Sequence, residues 1–150
     1  MRVLPICLNL NRFRILIVGG GKVAAQKLRV ILLCGGKAVV IAKEADDSIK
    51  KLFREKKISL FLREFKDSDL TKYNIVYTCT DSPSLNKRIS QLAQKRKILC
   101  NVASNSKFSN FISPAVYKNG HIIVSVSTSG KNPSQAVRIR DSLKKILSKR

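Results

Sequence analysis

A chain of 150 residues in which 44% are hydrophobic and 26% charged is long enough for one well-buried core and has the composition of an ordinary folded domain. Its four scattered cysteines and single histidine argue against a disulfide framework and a zinc site, and its apolar runs fall short of the roughly 18 residues that span a bilayer. We therefore expect reduced thiols, buried as small hydrophobic residues, in a cytoplasmic protein with neither a metal site nor a membrane partner.

The charge is the unusual feature, because 30 lysines and arginines face 9 acidic residues and give a net charge of +21. Such an excess indicates a polyanionic partner or the general composition of a basic proteome. Nucleic acid and a small polycarboxylate would both be attracted, and composition alone leaves both open. An aromatic content of 6% without tryptophan disfavours a surface on which bases stack.

Strands alternate with helices from residue 14 to residue 102, and the first glycine-rich turn lies between an apolar strand and a helix. This alternation predicts an α/β fold with an open, mostly parallel, Rossmann-like sheet. Gly35 and Gly36 are expected to end the first helix. The predicted strands cover 14–18, 38–42, 58–62, 75–79 and 98–102, and the predicted helices cover 22–34, 46–56 and a segment that begins at Ser82-Pro83.

The pattern changes near residue 108. Strands are predicted over 111–116 and 121–126 with a hairpin turn at 118–120, and a helix is predicted to follow Asn132-Pro133. A hairpin and one helix are too small to fold alone, so we expect them to pack on another subunit. The predicted organisation is a nucleotide-binding domain over 1–108 and a dimerisation region over 109–150.

The turn after the first strand has the pattern Gly19-x-Gly21-x-x-Ala24, which is typical of a dinucleotide-binding βαβ unit. Gly19 permits the tight turn, Gly21 lets a pyrophosphate approach the backbone, and Ala24 allows close helix packing. Gly20 is expected to be a further unhindered position, and Lys22 to add positive charge beside the phosphates. The alternative is a glycine-rich turn that binds nothing.

The ribose partner is expected about 20 residues further on, at the end of the second strand. Lys43 and Glu44 lie there. Glu44 would accept a hydrogen bond from a ribose hydroxyl, whereas Lys43 would tolerate a 2′-phosphate. We predict NAD as the cofactor, with NADP as the alternative.

Several stretches in the same order along the chain make it resemble precorrin-2 dehydrogenase, the NAD-dependent module of siroheme synthase. The glycine loop alone would not identify this family, but the later stretches together nearly do. The stretches are Leu4-Pro5-Ile6, Leu16 to Ala24, Lys27-x-Arg29, Thr80-Asp81 with Asn86, Cys100-Asn101-Val102, Phe111-Ile112-x-Pro114 and Val126 to Pro133.

The resemblance implies NAD-dependent oxidation of precorrin-2 to sirohydrochlorin, by a homodimer, on the route to siroheme. A polycarboxylate tetrapyrrole would account for the charge without nucleic acid. The implied cofactor residues are Gly19, Gly20, Gly21, Lys22, Val23, Lys43 and Glu44, with Thr80 and Asp81 near the nicotinamide half. The expected substrate residues are Asn101, Ser127, Thr128 and Ser129. The last three precede the final helix, where hydroxyl and N–H groups would hold a substrate carboxylate, and an ordinary helix-capping loop is the alternative.

Two departures from the family stand out. Many relatives have an aspartate, proposed as the general base, two residues after Asn101-Val102, and this chain has Ser104 there. A serine hydroxyl does not hold a proton near neutral pH without an activating partner, so we expect Ser104 to orient the substrate and iron insertion to be absent. Relatives also continue into a helical domain, so a more open site, or one completed by a partner, is expected.

Two other functions compete with the dehydrogenase. A catalytically weak tetrapyrrole- or nucleotide-binding protein on the same scaffold is favoured by Ser104. A nucleic-acid-associated protein is suggested by charge alone.

Overall fold

The computed structural model describes residues 2–148, so Met1, Lys149 and Arg150, including the last two positions of the predicted 109–150 region, lie outside the described residues. The chain divides into two compact units. The larger covers residues 7–111, and the smaller combines, among the described residues, 2–6 with 112–148.

The larger unit is a five-stranded parallel sheet with the strand order β3-β2-β1-β4-β5. This arrangement confirms the predicted α/β, Rossmann-like fold. Short 3₁₀ turns at Leu10–Arg12, Asp67–Lys72 and Ser106–Phe108 were not predicted. The elements in chain order are β1 (Ile15–Val18), α1 (Lys22–Leu33), β2 (Ala38–Ala42), α2 (Asp47–Arg54), β3 (Ser59–Leu62), β4 (Ile75–Thr78), α3 (Pro83–Lys95) and β5 (Leu99–Val102).

Helices cover both faces of the sheet, which explains why its central strands are continuous apolar runs. All four residues of β1 and all four of β4 are buried. Leu28 of α1 and Ile49 of α2 pack with Ile17 on one face, whereas Ile89 of α3 packs with Leu16 on the other. Because successive strand residues point to opposite faces, one short strand serves both layers of the core.

The first helix ends where the glycines predicted. Gly35 has a φ of +79°, and the amides of Gly35 and Gly36 donate to the carbonyls of Leu32 and Ile31. These bonds satisfy carbonyls that the end of a helix leaves without partners. The turn then leads directly into β2.

The smaller unit contains the predicted hairpin and final helix. Strands β6 (Ala115–Asn119) and β7 (Ile122–Val126) pair antiparallel, with Asn119 opposite Ile122. The helix α4 (Pro133–Leu147) begins after Asn132, whose side-chain oxygen accepts from the Gln135 amide at 2.9 Å. The predicted cap and first-turn proline are therefore confirmed.

The prediction of a strand over 111–116 was wrong, because β6 begins only at Ala115 and includes two residues that were assigned to the turn. Phe111 belongs to the larger unit, where its ring meets the edge of Tyr77 with centroids 5.4 Å apart. Pro114 has no N–H to donate to a ladder. The apolar run that suggested a strand therefore begins with a residue, Phe111, that packs in the larger unit.

The cysteines follow the expectation of burial in part. Cys79 and Cys100 are buried, and burial raises the pKa of each thiol to about 11, so both stay protonated at neutral pH. Cys34 is half-buried and Cys7 is exposed. Among residues 2–148, no helix has the length and apolarity to cross a membrane. Within the same residues, no group of three His, Cys, Asp or Glu side chains is arranged to hold a metal ion.

Candidate functional site

The main cleft of the larger unit lies at the carboxyl ends of β1, β2 and β4. It has a volume of about 840 Å³ and is bordered by Gly19 after β1, Lys43 after β2 and Cys79 after β4. The chain order reverses here, because β2 and β3 lie on one side of β1 whereas β4 and β5 lie on the other. Open parallel sheets bind ligands at such a switch point.

Two glycines at the end of β1 are required by neighbouring backbone. Gly19 has a φ of +116°, and a Cβ there would lie 2.3 Å from the carbonyl oxygen of Cys79. A Cβ on Gly20 would lie 1.9 Å from the carbonyl oxygen of Glu44. The expectation that Gly20 is a further unhindered position was therefore wrong. The reason for glycine there is packing against the β2–α2 loop, where the Asp46 amide donates to the Gly20 carbonyl at 2.7 Å.

Gly21 differs from its two neighbours because a Cβ there would meet nothing within 4 Å. It is the N-cap of α1, and within residues 2–148 no side chain caps this helix end. Its first turn contains no acidic residue and begins with the exposed Lys22. An uncapped helix N-terminus offers N–H groups and the positive end of the helix dipole, which suits a phosphate. Ala24 is fully buried, as close helix packing requires.

The cleft wall beyond the second strand contains paired charges. Lys43 Nζ lies 2.7 Å from Glu64 Oε1, and this bond raises the pKa of Lys43 and lowers that of Glu64. Arg63 donates two hydrogen bonds to Asp69, at 2.7 and 2.8 Å, which lower the pKa of the Asp69 carboxyl. Glu44 lines the same wall and is exposed.

The cleft is electrically balanced although the chain has a net charge of +21. Eight of the nine acidic residues lie between Glu44 and Asp81, and the ninth is Asp141. Of the four cations in the cleft wall, only Lys22 is without an ion pair in the part of the chain that the structure describes. The wall contains Lys22, Lys43, Arg63 and Arg88 with Glu44, Asp46, Glu64 and Asp81.

The turn after β4 is fixed by a buried amide. Asn86, on α3, is 2% exposed, and its Nδ2 donates to the Thr80 carbonyl at 2.8 Å. Its Oδ1 accepts from the Thr80 hydroxyl at 2.7 Å and from the Thr80 amide at 3.4 Å. Thr80 therefore shapes the cleft through its backbone, whereas Asp81 is exposed beside it.

The two predicted residues of the β5 segment have different environments. Ser104 is exposed just after β5, where its Oγ lies 3.5 Å from Asn86 Nδ2. Asn101 is 7% exposed, and its Nδ2 donates to the Phe111 carbonyl at 3.1 Å. In this structure Asn101 positions the Phe111 segment, and its contact with substrate stays a prediction.

The remaining predicted residues lie outside this cleft's lining. Val23 is 44% exposed on the first turn of α1. Ser127, Thr128 and Ser129 belong to the smaller unit, between β7 and α4, and bond within their own loop. The Ser129 amide donates to Ser127 Oγ at 3.1 Å, and the Asn132 amide donates to Thr128 Oγ1 at 3.0 Å.

Sequence reasoning missed Arg63, Glu64 and the role of Asn86. The first two directly follow a short strand with an exposed pattern, which gives no apolar signal for the carboxyl end of a sheet. Asn86 lies three residues after a helix-starting proline, where a polar residue is expected to face solvent. Only its burial reveals its role.

Lys27 is a half-buried cation outside the cleft wall. Lys27 Nζ, on α1, is 5.9 Å from the centre of the Tyr77 ring, and burial lowers the pKa of its amine. Within residues 2–148, Lys27 forms no ion pair with a carboxylate. A half-buried cation without such a partner is a candidate to bind an anionic ligand.

The glycine geometry predicts opposite effects for two neighbouring substitutions. Gly20→Ala would force a methyl group into the backbone of Glu44, so we expect a loss of about 2–4 kcal/mol of unfolding free energy. Gly21→Ala should cost at most about 1 kcal/mol of unfolding free energy, yet weaken the binding of a nicotinamide dinucleotide at least about tenfold, because its methyl group would occupy the open space in which we expect a phosphate. Thermal denaturation and titration of NADH fluorescence measure the two effects. A Gly21→Ala variant that binds NADH like the wild type would contradict this assignment.

Comparisons with known proteins agree with this geometry. The chain is 33% identical over 147 residues to siroheme synthase of Ruthia magnifica subsp. Calyptogena magnifica, which covers 98% of this chain and 31% of that protein. It is 27% identical to precorrin-2 dehydrogenase of Bacillus subtilis (strain 168), covering 97% of this chain and 89% of that protein. The chain thus spans about a third of the length of the siroheme synthases that it matches. The resemblance predicted from the sequence is confirmed.

A solved structure of SirC, a precorrin-2 dehydrogenase, has the same fold, with a TM-score of 0.80 at 22% identity. The match covers 95% of this chain and 70% of that chain. The family model described as "Putative NAD(P)-binding" matches residues 6–115, which include every strand of the parallel sheet. The chain therefore belongs to this NAD(P)-binding family.

Proposed function

We propose that this protein oxidises precorrin-2 to sirohydrochlorin with NAD as hydride acceptor, a step in siroheme biosynthesis. The observation on which this rests is the open, uncapped phosphate site at Gly21. The Bacillus subtilis relative named precorrin-2 dehydrogenase, of which the chain covers 89%, supports the substrate. We place the reaction in the cytoplasm, where thiols such as Cys7 stay reduced.

The residues of the cleft suggest how a dinucleotide would be oriented, with its adenosine half near the end of β2 and its nicotinamide half near the end of β4. The amides at the start of α1 and the Lys22 ammonium would bind the pyrophosphate, and Glu44 would accept from a ribose hydroxyl. Thr80 and Asp81 would lie beside the nicotinamide half, and the bound cofactor would supply the hydride acceptor. Oxidation of the substrate would give up one hydride and one proton. Ser104 is a weak base, so in our proposal it orients the substrate and water takes the proton.

The charges of the cleft favour NAD over NADP. A 2′-phosphate would lie near Lys43 and Glu44, but Lys43 is already paired with Glu64, and Glu44 would repel the phosphate. Arg63 is held by Asp69. Lys22, without an ion pair among the described residues, lies at the pyrophosphate site. Among the described residues, the wall therefore has an unpaired cation, Lys22, for the pyrophosphate that both cofactors share, and no unpaired cation for the 2′-phosphate of NADP.

Removing one carboxylate tests this preference. In Glu64→Gln, Lys43 loses its partner, so we expect affinity for NADP to rise about 3- to 10-fold while affinity for NAD stays within about twofold. Calorimetry with each cofactor measures both. Glu55→Gln is the matched control, because it breaks an exposed pair with Lys57 outside the cleft wall. Equal gains in the two variants would mean that net charge, and not this pair, sets the preference.

The basic character of the chain fits a polycarboxylate substrate. Lys27 is a half-buried cation near the end of β4, and the summed charge of +21 would raise the local concentration of an anionic tetrapyrrole. We further propose that Ser127, Thr128 and Ser129, which precede the N-terminus of α4, contact substrate carboxylates. A polycarboxylate makes a nucleic-acid partner unnecessary, and our proposal contains no metal and no iron insertion.

Direct turnover tests the proposal. Incubated with precorrin-2 and NAD, the protein should form sirohydrochlorin and NADH in equal amounts, followed by their absorbance. At saturating precorrin-2, Ser104→Asp should hold or raise the rate, because it adds a carboxylate where a base would act. NADH binding without turnover would favour the second candidate, a binding protein on this scaffold. Ser104 is the observation that favours that candidate.

We propose that the smaller unit forms a homodimer. Its helix α4 buries only Ala136, whereas large apolar side chains stay exposed on α4 and β7, and a hairpin with one helix is marginal alone. The exposed residues are Val137, Ile139, Ile146, Ile122 and Ile123. Sedimentation should show a dimer, and Ile139→Asp should shift it towards monomer by burying a charge, with NADH binding retained. A monomeric wild type at micromolar concentration would contradict the dimer.

A further inference from the structure

The buried amide of Asn86 joins two parts of the larger unit that the chain brings together only by folding. One is the Thr80 turn after β4, and the other is Ser104 after β5. Asn86 lies on α3 and is 2% exposed, so its polar atoms have no alternative partner in solvent. Its hydrogen bonds therefore go to protein groups, three to Thr80 and one, the longest, to Ser104.

The orientation of this amide follows from its partners. The Thr80 amide is a donor at 3.4 Å, so the atom of Asn86 that it meets must be the oxygen. The Thr80 carbonyl is an acceptor at 2.8 Å, so the atom that faces it must be the nitrogen. That assignment leaves the second N–H of Nδ2 to point towards Ser104 Oγ, 3.5 Å away. A flipped amide would place donor against donor at the Thr80 amide and acceptor against acceptor at the Thr80 carbonyl.

The orientation decides what the Ser104 hydroxyl can do. A hydroxyl that accepts from Asn86 has its own O–H free to donate elsewhere, and Ser104 is exposed. The distance is at the long limit of a hydrogen bond, so this contact biases the hydroxyl instead of locking it. An anionic oxygen of a ligand would strengthen the arrangement, because hydrogen bonds to charged acceptors are stronger.

We propose that Asn86 is a positioning residue that holds the Thr80 turn in shape for the cofactor and turns Ser104 into a hydrogen-bond donor for a substrate carboxylate. This inference rests on the proposed function, since it assigns Ser104 to the binding of the same anionic substrate. In this proposal Asn86 has two effects that can be measured separately, one on cofactor affinity and one on substrate affinity. The Thr80 bonds act on cofactor affinity, whereas the Ser104 contact acts on substrate affinity.

The experiment is a double-mutant cycle in which both affinities are measured. Asn86→Asp keeps the shape and the acceptor oxygen but removes both donors. Ser104→Ala should raise the KM for precorrin-2 about tenfold and leave the Kd for NADH within about twofold. Asn86→Asp should raise both constants. In the double variant, the KM should be no higher than in the worse single variant, while the Kd for NADH keeps the full effect of Asn86→Asp.

Asn110→Asp is the matched control. Asn110 also donates through Nδ2 to a backbone carbonyl, that of Ile98 at 3.0 Å, and accepts from the Cys100 amide at 2.7 Å. Its substitution therefore makes the same change of charge and of hydrogen bonding, with partners at β5, at an exposed residue outside the cleft wall. We expect neither the KM nor the Kd to change by more than about twofold in this variant.

A second measurement requires neither turnover nor a stable Asn86 variant. In ¹⁵N-labelled protein, Ser104→Ala should shift the side-chain amide signals of Asn86 and leave those of Asn110 unchanged, because only Asn86 contacts Ser104. Unchanged Asn86 signals would overturn the inference. So would a KM in the double variant that equals the product of the two single-variant effects. In either case, turnover by the wild type would leave the proposed function intact. A wild type without turnover would overturn the proposed function first, and with it the role given to Ser104.

Discussion

The site depends on the close approach of three backbone segments where β1 ends. Gly19 meets the end of β4, and Gly20 meets the segment after β2, each at a distance that no side chain would permit. Because these contacts anchor the turn on both sides, the next residue, Gly21, is held at the helix N-terminus with open space in front of it. Protein packing thus creates the open helix N-terminus at which we propose that a phosphate binds.

The same turn explains why the surrounding charges matter. A highly basic chain would attract any phosphate, which is useful for capture but poor for selectivity. Concentrating eight of the nine acidic residues between Glu44 and Asp81 neutralises the cleft while leaving the rest of the chain basic. The pairs of Lys43 with Glu64 and Arg63 with Asp69 are individually weak as stabilising interactions, because Lys43 and Glu64 are largely exposed and Arg63 is partly exposed. We propose instead that these pairs affect selectivity, because a cation that is already paired with a carboxylate binds an incoming anion less well.

Asn86 extends this arrangement to the neighbouring strand. A buried amide has to satisfy two donors and one acceptor, so it fixes the relative positions of the backbone and side chains that it contacts. Here it connects Thr80, two residues after β4, with Ser104, two residues after β5. The two strands are adjacent in the sheet but separated by the helix α3 in sequence. Ser104 at this position leaves a hydroxyl where a carboxylate would act as a base, so the chemistry that we propose depends on cofactor placement and substrate orientation.

The sequence by itself determined the parallel sheet, the glycine loop and the helix ends, because a short pattern of neighbouring residues specifies each of them. Apolar runs flanked by glycines can be buried only as central strands, and Gly35 or Asn132 act within one turn of their own positions. Lys43 and Glu44 could be placed in the cleft for the same reason, since the spacing from the glycine loop fixes the end of β2.

Only the tertiary structure decided which of these residues border the open cleft and which pack against protein. The sequence predicted open space at both Gly20 and Gly21, yet a Cβ on Gly20 would meet the carbonyl of Glu44, whereas the space at Gly21 is open. The strand predicted over 111–116 was displaced because Phe111 packs on Tyr77. The pairing of Lys43 with Glu64 and of Asn86 with Ser104 joins residues about twenty positions apart, and no local pattern encodes it. Such contacts depend on strand order, which the folded sheet alone establishes.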